Sequence, residues 1–288
     1  MGSMSIQEAL LSALKRAATQ LPEDVTVALQ EARARETSAL AATQLDAVLK
    51  NVEIAGEGTI PICQDTGTQT FFVEAGFDSP FLKEIQRWIS DAVQQATVEL
   101  PLRPNTVDPF TGKNPGDNSG RHMPSIHWDL VDGDEILITL LPKGGGSENM
   151  SALKMLTPSV GIKGIKKAVV EHMAACRGWP CPPTIVGVGI GGGADMAMHL
   201  AKMAVLRSIG SQNAIPEAAT LEQELLDLVN QTGVGAMGVG GDITCLAVHV
   251  EVAHRHPASL PLGILVQCWA DRRARVRLRA DGRAEVVD

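Results

Sequence analysis

Apolar residues recur three and four positions apart through the first fifty residues, with Leu10, Leu11, Leu14 and Ala18 marking one stripe. This pattern predicts an amphipathic helical opening over residues 5–52. Pro22 followed by Glu23 and Asp24 predicts the start of a second helix, because proline suits a first turn and acids suit the positive helix end. Gly56 and Gly58 close the region. The helical period returns over 80–99 through Leu82, Ile85, Ile89, Val93 and Ala96. Between these stretches, within 59–76, the core Thr70-Phe71-Phe72-Val73 predicts a strand after a polar turn. Residues 108–124 hold three Gly and three Pro among Asn, Asp and Ser, which predicts an irregular loop of a length that is often functional. Further strands are predicted over 136–141, 184–190, 245–253 and 262–269, helices over 194–206 and 217–230, and a basic strand or hairpin over 275–287. The expected fold class is mixed α/β: a helical N-terminal region, then helices packed around a mixed β-sheet, in one domain over 5–288 with room for two lobes. Met1-Gly2-Ser3-Met4 reads as a cloning remnant.

Composition narrows the partners. The chain has 288 residues, 44% of them hydrophobic, enough for a sizeable core. A net charge of -8 without long Lys/Arg runs argues against nucleic acid or an anionic membrane, whereas a small anionic substrate needs only a local basic pocket. No secretory leader or membrane-length apolar run is evident, so a soluble, cytoplasmic protein is expected. Five cysteines, Cys63, Cys176, Cys181, Cys245 and Cys268, form neither an even disulfide framework nor a CxxC pair. Any site they share has to be assembled by the fold.

Three strand-to-loop junctions carry candidate chemistry. In Pro61-Ile62-Cys63-Gln64-Asp65-Thr66-Gly67-Thr68 one turn presents a thiol, an amide, a carboxylate and hydroxyls. Asp65 suits an acid/base partner beside a metal-bound thiolate; the plainer alternative is a core thiol followed by a turn-capping Asp. After Leu141-Pro142, the run Lys143-Gly144-Gly145-Gly146 lets backbone N–H groups approach an anion while Lys143 adds charge, or else forms a flexible turn. Gly187-Val188-Gly189-Ile190-Gly191-Gly192 matches the GxGxxG spacing of dinucleotide sites. Without an N-terminal βαβ unit, close helix–strand packing explains these glycines more plainly. His254 and His256 flank Arg255, and an HxH pair within a strand places both rings on one side. No third ligand is evident, so one catalytic His is the better functional reading, against a purely structural one.

Taken in order, the first junction, Lys143-Gly144-Gly145-Gly146-Ser147-Glu148-Asn149, Cys181-Pro182-Pro183, Arg255-His256 and Gln267-Cys268-Trp269-Ala270-Asp271-Arg272 resemble the signature of the class I, iron–sulfur-dependent fumarate hydratases and their L(+)-tartrate dehydratase relatives. The resemblance runs from about residue 20 to residue 280 and rests on the order of motifs that are weak singly. It implies a [4Fe-4S] cluster held by Cys63, Cys181 and Cys268, with Cys176 and Cys245 left as structural thiols. It also implies an acid/base pair, Asp65 and His256, and substrate contacts from Gln64, Asp65, Arg103, Gly146 and Asn149. Arg103 suits the role as a forked donor for a carboxylate.

One-chain members of that family continue into a second domain carrying further carboxylate clamps, and this chain ends at Asp288. The resemblance therefore implies an α subunit with a separate β subunit completing the site, in an α2β2 or similar oligomer. The expected reaction is reversible hydration of fumarate to (S)-malate, a tricarboxylic acid cycle step, because Lys143 and Ser147-Glu148-Asn149 resemble fumarases more than tartrate enzymes. Conversion of L(+)-tartrate to oxaloacetate is the alternative. An NAD-binding oxidoreductase and a non-catalytic iron–sulfur assembly protein remain as readings of other classes.

Overall fold

The computed structural model describes residues 4–287. Residues 1–3 of the stretch read from the sequence as a cloning remnant lie outside the described residues, while Met4 forms an antiparallel bridge with Ala284. The elements run α1 (Ile6–Thr19), α2 (Glu23–Arg35), α3 (Ala39–Gly58), β1 (Thr68–Gly76), α4 (Ile85–Glu99), β2 (Ser125–Val131), β3 (Ile136–Lys143) and α5 (Gly145–Glu148). They continue through β4 (Ala152–Leu156), α6 (Gly161–Cys176), β5 (Thr184–Gly192), α7 (Ala194–Val205) and α8 (Pro216–Asn230). The chain closes with β6 (Cys245–Arg255), β7 (Leu260–Gln267), β8 (Ala274–Leu278) and β9 (Ala284–Val287). The class is mixed α/β with a helical N-terminal region, as the patterning predicts.

The chain divides into two compact units. The first comprises residues 4–22, 51–145 and 272–287. Its sheet runs β2-β1-β3-β8-β9, with β1 parallel to β2 and the other neighbours antiparallel. α1 starts at a capping box, in which the Glu8 N–H donates to Ser5 Oγ and the Ser5 N–H donates to Glu8 Oε2. Its apolar stripe, Ala9, Leu10, Ala13, Leu14 and Ala17, is buried with Ile85, Ile89 and Val93 of α4 and with Phe71, Ile138 and Val276 of the sheet.

The second unit comprises residues 23–50 and 146–271, with a sheet ordered β4-β7-β5-β6. β5 and β6 are parallel and β7 pairs antiparallel with both β4 and β5. β7 is buried along its whole length, which is why Leu260–Gln267 reads as a nearly unbroken apolar run. α6 and α8 bury Ile165, Val169, Leu221 and Leu225 with Val186, Val248 and Ile264 of the strands.

Several elements depart from the sequence-based expectation. One sheet is expected and two are present. The helical opening breaks between α2 and α3 at Glu36-Thr37-Ser38, and α4 begins at Ile85 rather than near 80. β2, β4 and α6 lie where no element is predicted. β2 and β4 are sheet edges without an uninterrupted buried face, and α6 opens on Gly161 and Gly164 with Lys163, Lys166 and Lys167 interrupting its stripe.

Candidate functional site

In the first unit, the turn that carries the first junction is pinned before its chemistry begins. The Ile62 N–H donates to Ala18 O (2.9 Å) and Ile62 O accepts from Asn51 Nδ2 (2.8 Å), so Cys63 leaves a fixed point. Two residues on, the Asp65 carboxylate is held by three N–H donors. Oδ1 accepts from the Gly67 N–H (2.9 Å) and from Asn105 Nδ2 (3.3 Å), and Oδ2 accepts from the Gly145 N–H (2.8 Å). The anion that the glycine run receives here is therefore a carboxylate of the protein itself. A Cβ on Gly144 would stand 3.2 Å from Asp65 Oδ2, so the missing side chain is what lets the two segments approach. Gly67, at φ +79°, permits the reverse approach, since a Cβ there would lie 2.8 Å from the Pro142 carbonyl carbon.

Two residues without an assigned role complete the support. Arg272 is only 1% exposed, and its Nη1 donates to the Asp65 carbonyl (3.0 Å). Asn105 also donates to Gly67 O (3.1 Å) and is itself oriented by Asn118, whose Oδ1 accepts the Asn105 N–H (2.7 Å). Asn118 Nδ2 in turn donates to Arg103 O (3.0 Å). Asn105 lies in an aperiodic Pro-rich segment with no pattern to mark it, whereas Arg272 closes the Gln267-Cys268-Trp269-Ala270-Asp271-Arg272 motif. Lys143 departs from expectation: it is 5% exposed, on β3 opposite Thr68, and offers no open charge to a ligand.

Gln64, Asp65, Thr68, Arg103, Asn105 and Gly145 line an open cavity of about 310 Å³. Gln64 and Arg103 are exposed. The first unit thus brings together Gln64, Asp65 and Arg103 of the sequence-predicted set, with a forked cation beside a fixed carboxylate.

Cys63 also belongs to the first unit, whereas Gly146, Asn149, Cys181, His256 and Cys268 belong to the second. Cys181 and Cys268 sit on segments that cross there: the Trp269 N–H donates to Cys181 O (3.2 Å). Gly146 faces Trp179, whose carbonyl oxygen would lie 3.7 Å from a Cβ at that glycine, and Asn149 is exposed just past α5. His256 is exposed and lies beyond the end of β6, where its Nδ1 accepts the Ala258 N–H (3.1 Å). Only His254 is in the strand, so His254 and His256 do not share one strand face, in keeping with the preference for a single catalytic His over a metal pair.

None of the five cysteines is in a disulfide. They fall into two chemical classes. Cys63, Cys181 and Cys268 are partly exposed, while Cys176 and Cys245 are buried. Burial pushes the Cys245 thiol up to about 12 against opposing contacts with Thr184, Ala247 and Val186, and Sγ donates to Ala247 O (3.0 Å). Burial also raises Cys176, with Lys154 opposing. Both are held as protonated thiols. Among the described residues, no three His, Cys, Asp or Glu side chains are grouped tightly enough to hold a single metal ion.

The GxGxxG run is consumed by packing. A Cβ on Gly187 would lie 2.1 Å from Ala201 O, and one on Gly189 2.0 Å from Ala197 O, so α7 rests directly on the β5 backbone. The predicted strand over 245–253 forms as β6, parallel to β5, but it ends at Arg255 rather than at an acid, and its Glu251 is engaged by Arg207 (3.2 Å). No helix among the described residues is long and apolar enough to cross a membrane.

A sequence model of the family described as Fumarate hydratase (Fumerase) matches residues 7–277. The chain belongs to that family. Its similarity to a putative L(+)-tartrate dehydratase subunit alpha of Methanocaldococcus jannaschii is 49% identity over 284 residues, 97% of this chain and 100% of that protein. L(+)-tartrate dehydratase subunit alpha of Escherichia coli strain UTI89 is 38% identical over 91% of this chain and 87% of its own length. The strain K12 protein of the same name is 37% identical over the same shares. The family match covers every residue singled out above, from Cys63 to Arg272.

Proposed function

We propose that this chain is the α subunit of a two-subunit class I hydro-lyase that interconverts fumarate and (S)-malate. The observation that carries the reading is Asp65, held by three N–H donors in an open cavity beside Arg103, on a chain of the fumarate hydratase family. A C4 dicarboxylate presents a carboxylate for the Arg103 guanidinium to grip in bidentate fashion. Gln64, Gly146 and Asn149 add polar contacts that fix its orientation. Asp65 then serves proton transfer at the C2 oxygen: its donors fix the carboxylate, and lone pairs not facing them take the proton. His256 is its partner in that exchange.

The thiol classes support a cluster at Cys63, Cys181 and Cys268. A soft, deprotonated donor set requires accessible thiols, and these three are the partly exposed ones, while Cys176 and Cys245 are held protonated by burial. When bound, a [4Fe-4S] cluster with three thiolate ligands supplies a Lewis-acidic iron for the substrate hydroxyl. A separate β subunit supplies the rest of the carboxylate clamps in an α2β2 or similar assembly, a reading supported by the relatives named as alpha subunits.

The names of those relatives favour a second reading, dehydration of L(+)-tartrate to oxaloacetate. Anaerobic co-purification with a β subunit and parallel assays on fumarate, (S)-malate and L(+)-tartrate separate the two. Higher kcat/KM on fumarate and malate is expected. Preference for tartrate would transfer the assignment, and a cluster-loaded complex inert on all three would favour an assembly protein.

A further inference from the structure

We infer that Glu36 is a positioning residue for Cys181, acting through the glycine-rich loop between α8 and β6; the inference rests on the reading of Cys181 as a cluster ligand. Cys181 has little regular structure to fix it. It lies between α6 and β5 at φ +53°, a left-handed conformation that a non-glycine residue holds only when its surroundings impose it.

The Cys181 N–H donates to Gly178 O (3.1 Å), and Pro182 O on its other side accepts from the Met237 N–H (2.7 Å). The loop holds the chain after the thiol at Pro182 and packs against it before the thiol at Gly178. At Gly178 a Cβ would lie 2.9 Å from Met237 O, and at Gly238, φ +78°, one would lie 2.5 Å from the Gly178 Cα. The two glycines meet backbone to backbone.

The loop has its own anchors. At one end the Gly235 N–H donates to Thr244 Oγ1 (3.0 Å), while Asn230 Oδ1 accepts from the N–H groups of Thr244 and Cys245 (2.8 Å each). Next to this anchor, on residues 242–243, acts Glu36, a carboxylate only 7% exposed. Its Oε2 accepts from the Asp242 N–H (3.0 Å) and the Ile243 N–H (3.1 Å), and its Oε1 from the Ser38 N–H (2.9 Å). Asp242 returns the contact by accepting from Thr37 Oγ1 (2.6 Å). A buried carboxylate accepting several backbone N–H groups is an oriented clamp. This one breaks the helical opening between α2 and α3 in order to reach residues two hundred positions away.

Outer contacts of this kind fix the direction in which a metal ligand points. The wild-type chain, Glu36→Gln, Gly238→Ala and the core comparator Leu221→Ala are reconstituted anaerobically with iron and sulfide. Three quantities are measured: iron per chain, the rate at which visible absorbance is lost to a chelator, and the melting temperature. Iodoacetamide alkylation of Cys181 relative to Cys268 is followed in the cluster-free chains. Glu36→Gln and Gly238→Ala are expected to lose cluster about 10- to 100-fold faster than wild type. Their Cys181:Cys268 alkylation ratio should also change, whereas Leu221→Ala lowers the melting temperature without either effect. If one variant does not fold, the other decides. Cluster loss at the wild-type rate, or in proportion to the drop in melting temperature set by Leu221→Ala, overturns the positioning role and leaves the cluster reading standing. A wild-type chain that takes up no cluster overturns both.

Discussion

The Gly145 N–H donates to Asp65 Oδ2 at 2.8 Å, so the carboxylate of the first junction is held by the backbone of the second. The neighbouring Gly144 leaves only the space of a missing side chain, 3.2 Å from the same oxygen. Gly144→Ala should therefore push the carboxylate aside without unfolding the chain. In the assembled complex kcat should fall by about 10²-fold, the usual cost of a misplaced catalytic group. Steady-state kinetics beside a melting curve check this, and a variant with wild-type kcat would show that the carboxylate position is not critical.

Removing the proposed acid/base group, Asp65, and removing the forked cation, Arg103, should differ in kind. Asp65→Asn should reduce kcat by about 10²–10⁴. Asn105→Ala, which deletes one of the donors to Asp65, should cost about 10-fold in kcat if that hydrogen bond contributes the usual ~1 kcal/mol or a little more. Arg103→Ala should act chiefly through KM, because its contact is made in ground state and transition state alike. An Arg103→Ala effect confined to kcat would move that residue out of simple carboxylate binding.

Much of this was legible in the sequence, and the gaps have physical causes. Strands buried along nearly all their length, β3, β5 and β7, and the buried first half of β6 announce themselves as apolar runs. The edge strands β2 and β4 do not, because solvent on one side removes the pattern. Cys63 and Asp65 could be named from the order of the motifs and Arg103 from the family resemblance, but Asn105 could not, since its value comes from contacts 38 and 40 positions away in the chain. Lys143 shows the opposite failure: its charge suggested an anion site, yet strand pairing buries it.

The Cys245 thiol gives a pH signature. It ionises near 9 in the unfolded chain and is pushed up to about 12 by burial in the fold. Between those values the folded chain holds the extra proton, so the contribution of this thiol is fully present below pH 9 and is lost as pH rises toward 12. The difference in unfolding free energy between wild type and Cys245→Ala, followed by denaturant titration, should shrink over this alkaline range. A difference independent of pH would contradict the burial account.

Close packing of α7 on β5 predicts a strong effect from one methyl group. A Cβ on Gly189 would fall 2.0 Å from Ala197 O, where a main-chain atom and not a flexible side chain must yield. Gly189→Ala should destabilise the second unit by about 1–3 kcal/mol. An unchanged denaturation midpoint would show that the helix moves freely on the strand, and would reopen the glycine run to other roles.

If, as proposed, catalysis requires both a cluster held by this chain and a second subunit, anaerobic fumarate hydration measured on one set of samples will show it. The samples are the chain alone, the chain with a β subunit, and that complex built from Cys63→Ser, Cys181→Ser, Cys268→Ser, Cys176→Ser or Cys245→Ser, each with its iron content determined. The account predicts about four irons per chain and turnover only for the complex built on wild type, Cys176→Ser or Cys245→Ser. It also predicts that air abolishes this activity. Turnover by the chain alone, or full iron content with activity in a Cys63, Cys181 or Cys268 variant, would contradict it.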